Sequence, residues 1–158
     1  MSREARKFIN FSNAGPSSGV GVCDDCIRAF NEIKLGHKWQ YVIYRLTDDL
    51  KTIVVEEKAG LHKTYADFVN KLKEAERKGQ CRYGLFDVKF SCNDIHSARL
   101  AFFLWSPDSA PTRQKMIYSS SVKALKQKLE GVYVDIQCND ETDLALSHIL
   151  DKCTARYV

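Results

Sequence analysis

No stretch of this 158-residue chain is apolar enough, for long enough, to cross a membrane, which takes about 20 consecutive apolar residues. The opening residues, MSREARKFINFSNAGPSSG, lack the apolar core of a secretory signal. These absences lead us to expect a protein that is made and kept in the cytosol. Charge of one sign is also scarce, with a net value of +4. Nucleic-acid-binding domains are usually more basic and more clustered, so no nucleic-acid partner is expected. There is no glycine-rich phosphate loop, no nucleophile–base pairing and no metal constellation. His37, His62, His96 and His148 are spread singly, without ligand spacing. Neither an enzyme nor a cofactor is expected.

Six cysteines are present, and Cys23 and Cys26 form a C-x-x-C. A zinc ribbon needs a second close pair. Cys81, Cys92, Cys138 and Cys153 are scattered singly, so that pattern is missing. A redox C-x-x-C opens a helix just after a strand, whereas here a glycine-rich, irregular-looking stretch precedes Cys23. The favoured reading is Cys26 as a small core residue and Cys23 as a surface thiol.

What the chain does contain is an ordinary globular composition, 44% apolar and 28% charged, at a length that fits one domain with a proper core. Residues 1–17 read as a flexible basic extension, in which Arg3, Arg6 and Lys7 accompany Phe8, Ile9 and Phe11. Such an arm suits weak lipid or partner binding, or plain disorder. A first helix is expected from about Cys23 to Ile33, with Asp24 and Asp25 at its positive end and Gly36 near its stop. Strands follow at Trp39–Leu46 and Thr52–Glu57, then a helix at Tyr65–Lys78. Two more strands, Cys81–Phe90 and Arg99–Trp105, precede a basic helix that starts after Pro111. RLAFFLW, apolar on both faces, reads as a central strand. A strand at Val132–Gln137 and a helix at about Asp143–Cys153 close the chain. The order α-β-β-α-β-β-α-β-α implies an α/β (α+β) fold, a central mixed β-sheet flanked by helices on both faces.

The most informative stretch is WSPDSAPTRQKMIYSSSVKALKQKL, Trp105 to Leu129. Pro111 suits a helix start because that turn leaves its N–H groups unpaired anyway. Arg113 and Lys115 fall in the first turn, where the macrodipole prefers anions. Cations placed there suggest a face turned toward a partner. Tyr118 reads as a core residue with a paired hydroxyl, and Trp105 as structural.

This segment closely resembles the long actin-binding helix of the actin-depolymerising factor (ADF)/cofilin family. SGVGV at Ser18–Val22, FNEIKLGHK at Phe30–Lys38 and CRYGLFDVKF at Cys81–Phe90 match further family motifs in order. The resemblance runs from about Ser18 to Lys152 and implies a single ADF-homology domain, set here at residues 18–158, with a gelsolin-like fold. It also implies binding to actin monomers and filaments, with severing and faster depolymerisation, by a monomeric, cytoskeleton-associated protein that leaves nuclear entry open. Phosphoinositides are implied as competitors for the same cations, and an anionic-lipid module is the alternative reading.

By the same resemblance, Arg113 and Lys115 match the basic pair that enters the actin cleft, and Met116 matches its apolar contact. Ser18, Gly19, Val20, Ile117 and Lys126 complete the expected monomer site. Ser18 aligns with a serine whose phosphorylation inactivates many members, through added negative charge. The expected filament site comprises Arg99, Asp151 and Lys152. Its neighbours depart from the pattern. His96, Ser97 and Ala98 stand where cations are common, Lys123 where an aspartate is usual and Val122 where a lysine is usual. Fewer cations there imply weakened filament binding.

Overall fold

The structure, a computed structural model, describes residues 19–155. Ser18 and the extension expected at residues 1–17 lie outside the described residues. Among the described residues, six strands form one mixed sheet in the order β1-β3-β2-β4-β5-β6. The strands are β1 (Gly21–Val22), β2 (Tyr41–Leu46), β3 (Thr52–Ala59), β4 (Arg82–Cys92), β5 (Ile95–Trp105) and β6 (Val134–Cys138). The outer pairs, β1 with β3 and β5 with β6, are parallel. The inner pairs are antiparallel.

Helices α1 (Asp24–Lys34) and α3 (Thr112–Lys126) cover one face of the sheet, and α2 (Tyr65–Arg77) and α4 (Leu146–Thr154) cover the other. Strand alternation builds a separate core on each side. Val42, Tyr44 and Leu46 point toward α1 and α3, while Tyr41 and Ile43 point toward α2. Phe30, Ile33, Tyr118 and Leu125 fill the first core. Phe68, Leu72, Phe103 and Ile149 fill the second. Gly84 lets α2 come close, since a Cβ there would stand 2.7 Å from the Phe68 ring. Trp105 is structural, as expected: it is fully buried and its indole N–H donates to the Leu72 carbonyl at 2.8 Å.

The expected sheet and helix order is present, with four departures. A short strand, β1, occupies the stretch read as irregular. The β4–β5 hairpin runs further than the expected strands, through Lys89↔Ala98, Phe90↔Ser97 and Ser91↔His96 to Cys92↔Ile95. Asn93 and Asp94 make its two-residue turn, both with positive φ, the backbone of a type I′ turn. The last helix begins at Leu146, after a short 3₁₀ turn at Glu141–Leu144 that Asp140 caps. Finally, the left-handed residue after α1 is His37, at φ 45°, rather than Gly36.

Candidate actin-binding surfaces

Helix α3 begins at Thr112 with Pro111 as its cap residue, and no side chain caps it. No acidic residue lies in its first turn. Its free N–H groups therefore keep their positive end, and Arg113 and Lys115 add full charges to it. Arg113 is exposed. The Lys115 ammonium donates to the Asp108 carbonyl at 3.2 Å, which holds it beside the Ser106–Pro107–Asp108 turn. Met116 is 66% exposed, among the most exposed large apolar residues. Ile117 is half-buried and packs against the first core.

These residues line an open groove shared with the β2–β3 turn. Asp49 and Leu50 form one wall, and Thr112, Arg113, Met116, Ile117 and Ser120 form the other. Leu50 holds φ at 60°, a costly conformation for a branched side chain. Hydrogen bonds from Leu50 N–H to the Thr47 carbonyl at 2.8 Å and from Thr47 N–H to the Thr52 carbonyl at 2.8 Å fix the turn. Gly19 and Val20 lie close by, because Gly21 N–H donates to the Lys51 carbonyl at 3.0 Å. The structure thus gathers Gly19, Val20, Arg113, Lys115, Met116 and Ile117 at one end of the sheet.

The helix is anchored from beneath by Tyr118. Its buried hydroxyl accepts the Leu46 N–H at 2.9 Å. The Tyr83 hydroxyl donates to the Tyr118 carbonyl at 2.6 Å, and the two rings sit 5.0 Å apart. Burial pushes the Tyr118 phenol above its ordinary value, with the Leu46 N–H pulling the other way. The expected core role of Tyr118 matches what is seen.

Lys126 departs from its expected place on the exposed helix face. Its ammonium turns inward to the Asp135 carboxylate on β6 and lies over the Phe102 ring. The two side chains are only 9% and 17% exposed. Lys126 fastens the end of α3 to the sheet, while Lys128, beyond the helix, is exposed.

The expected filament residues lie on a different part of the molecule. The Arg99 guanidinium stacks on the Tyr133 ring, 4.3 Å from its centre. It lies close enough to α4 for its charge to favour the Cys153 thiolate, against the larger effect of burial, which pushes that thiol up to about 11. On α4, Asp151 is exposed and Lys152 half-buried. His96 and Ala98 are exposed on β5 beside Arg99. Ile95, at the hairpin tip, is 56% exposed and was not foreseen as a surface feature. Leu50 and Asp49 also escaped the sequence reading. The Thr47–Asp49 turn was visible there, but nothing local says that it meets α3. Among the described residues, no three His, Cys, Asp or Glu side chains are grouped to hold a metal ion.

Residues 19–154 match a protein-family model described as cofilin/tropomyosin-type actin-binding protein. The chain belongs to the ADF/cofilin family. Actophorin of Acanthamoeba castellanii is 39% identical over 128 residues, covering 81% of this chain and 90% of actophorin. Cofilin of Yarrowia lipolytica is 41% identical over 137 residues, covering 85% and 86%. Among solved structures, Streptomyces griseoflavus cofilin superposes with a TM-score of 0.78 at 33% identity, covering 87% of this chain and 98% of that one. ADF/cofilin membership makes the chain an actin-binding cytoskeletal protein.

Proposed function

We propose that this family member binds actin monomers through the uncapped start of α3 and promotes filament depolymerisation, with filament binding and severing weaker than the family's usual level. The observation that carries the reading is the combination at one helix end: two cations, free N–H groups, an exposed methionine and a groove beside it. Arg113 forks onto a carboxylate of acidic actin and Lys115 supplies a point charge. Met116 and Ile117 supply an apolar anchor that slows release, while the charges speed association. Gly19 and Val20 extend this surface. Ser18 precedes them directly in the sequence, and a phosphate there would add negative charge to a surface that works through cations.

The filament surface rests on Arg99, Asp151 and Lys152. Arg99 lies flat on Tyr133, and its neighbours His96, Ser97 and Ala98 add no permanent charge. That thinning supports retained monomer binding with reduced severing. The protein acts in the cytoplasm on the actin cytoskeleton.

The test is an Arg113→Ala, Lys115→Ala variant titrated against actin monomers and, separately, against phosphoinositide vesicles. Loss of monomer binding supports this site. Loss of vesicle binding with intact actin binding would favour the lipid module instead.

A further inference from the structure

The Cys23–Cys26 motif is not used by either actin surface. A missing strand spoke against a redox role in the sequence, and the structure supplies that strand. β1 ends at Val22, and Cys23 is the next residue. Cys23 caps α1, and its carbonyl accepts the Cys26 N–H at 3.0 Å, closing the first turn. Contrary to the expected surface thiol, Cys23 is half-buried and packs against the same core cluster as Cys26. Cys26 is fully buried, and its thiol donates to the Ile53 carbonyl at 3.3 Å. The rise and radius of an α-helix put the Cα atoms of positions i and i+3 about 5 Å apart, and a disulfide needs Cα atoms about 4.4–6.8 Å apart. All six cysteines are free thiols, so the pair is in its reduced form.

We propose that Cys23 and Cys26 form a reversible disulfide under a peroxide oxidant, and that this bond changes how Gly19 and Val20 are presented to actin. The functional half rests on the actin site proposed above. Exposure assigns the roles. Burial, with smaller contributions from Cys23 and Asp25, pushes the Cys26 thiol up to about 12, so the water-accessible Cys23 meets the oxidant. The Cys23 thiolate attacks one peroxide oxygen, the O–O bond breaks, and the departing hydroxide takes a proton and leaves as water. Cys23 is now a sulfenic acid. Cys26 then attacks that sulfur, the S–O bond breaks, and the hydroxyl leaves with the Cys26 proton as a second water. Two thiols have lost two electrons, and one peroxide has gained them. A thiol reductant reverses the step by exchange.

The coupling follows from one shared acceptor. The Ile53 carbonyl takes both the Cys23 N–H, at 3.0 Å, and the Cys26 S–H. β1 is held to β3 by only two paired positions, Gly21↔Thr52 and Val22↔Ile53. Disulfide formation removes the S–H donor and retethers the cap directly beside this short pairing. Gly19 and Val20 are the residues immediately before it.

The test uses the full-length protein, treated with hydrogen peroxide, unfolded, alkylated and cut with trypsin. Both cysteines fall in one tryptic peptide, Phe8–Arg28, which holds no other cysteine. That peptide should be lighter by two hydrogens and take no alkyl groups, and dithiothreitol should restore both. Recovery of two alkylated thiols, or of Cys23 oxidised beside an alkylated Cys26, overturns the disulfide. In parallel, peroxide should weaken monomer affinity several-fold and reversibly, and Cys23→Ser should remove that response. A closed peptide with unchanged affinity overturns the coupling, as does an undiminished response in Cys23→Ser. Actin binding by the reduced protein checks the site itself, independently of the disulfide.

Discussion

The start of α3 and the Arg99–α4 surface, the two proposed actin contacts, both carry cations, yet they are built differently. At α3, charge, free N–H groups and an exposed apolar side chain converge on a rigid base of Tyr118, Tyr83 and Leu46. At the second surface, the β5 cation Arg99 lies against Tyr133, the helix pair is of mixed sign, and the adjoining β5 positions are His, Ser and Ala, with Lys89 of β4 paired to Ala98. On the proposed reading, the comparison teaches that one fold carries two contacts whose strengths are set by a few side chains outside either core.

The largest expected effect comes from Arg113→Ala with Lys115→Ala. Losing both charges should cost about 2–5 kcal/mol of monomer affinity, measured by titration with labelled actin, while folding stability falls by no more than about 1 kcal/mol, the worth of the Lys115 hydrogen bond to the Asp108 carbonyl. A larger fall in stability would count against a partner role for these cations.

Lys126→Ala, on the same helix, should do the reverse. It leaves the Asp135 carboxylate largely buried and unpaired, costing about 2–3 kcal/mol of folding stability by denaturant titration. Monomer affinity should hold. Lost affinity in a fully folded variant would return Lys126 to the partner surface.

Met116→Ala should be smaller again, about 1–2 kcal/mol in monomer affinity. The loss should sit mainly in a faster dissociation rate, which stopped-flow measurement resolves. A change confined to association would count against an anchor role.

The smallest effect sharpens the second surface. His96→Lys with Ala98→Lys should raise filament affinity by about 0.5–1 kcal/mol and leave monomer affinity alone. The gain should fade as salt rises. No gain at low salt would mean that charge is not what limits this surface.

Most of the layered architecture was legible in the sequence because its signals are local. RLAFFLW announces an inner strand, and the Tyr65, Phe68, Leu72 and Ala75 stripe announces an amphipathic helix. The exposure of Arg113 and Met116 was legible too, but Lys115 and Ile117, read as neighbours on the same open face, are half-buried. The place of Lys126 was not legible. Its pairing depends on Asp135, nine residues away on β6, and a helix period cannot reveal which lysine meets a strand. β1 was missed because two residues of a parallel edge leave no alternating pattern, and its hydrogen bonds come from Lys51 and Ile53. The longer β4–β5 hairpin was missed although Asn93–Asp94 is a turn signal of the right kind. The polar residues Ser91, His96 and Ser97 hid the strands on either side. Groove residues Asp49 and Leu50 face α3 only through the tertiary fold.

The most direct test of the unequal-surface account is co-sedimentation with actin filaments, reading actin and the protein in pellet and supernatant over a range of protein concentrations. The account predicts that supernatant actin rises while little of the protein pellets with filaments. Strong co-pelleting together with severing at the family's usual level would contradict it.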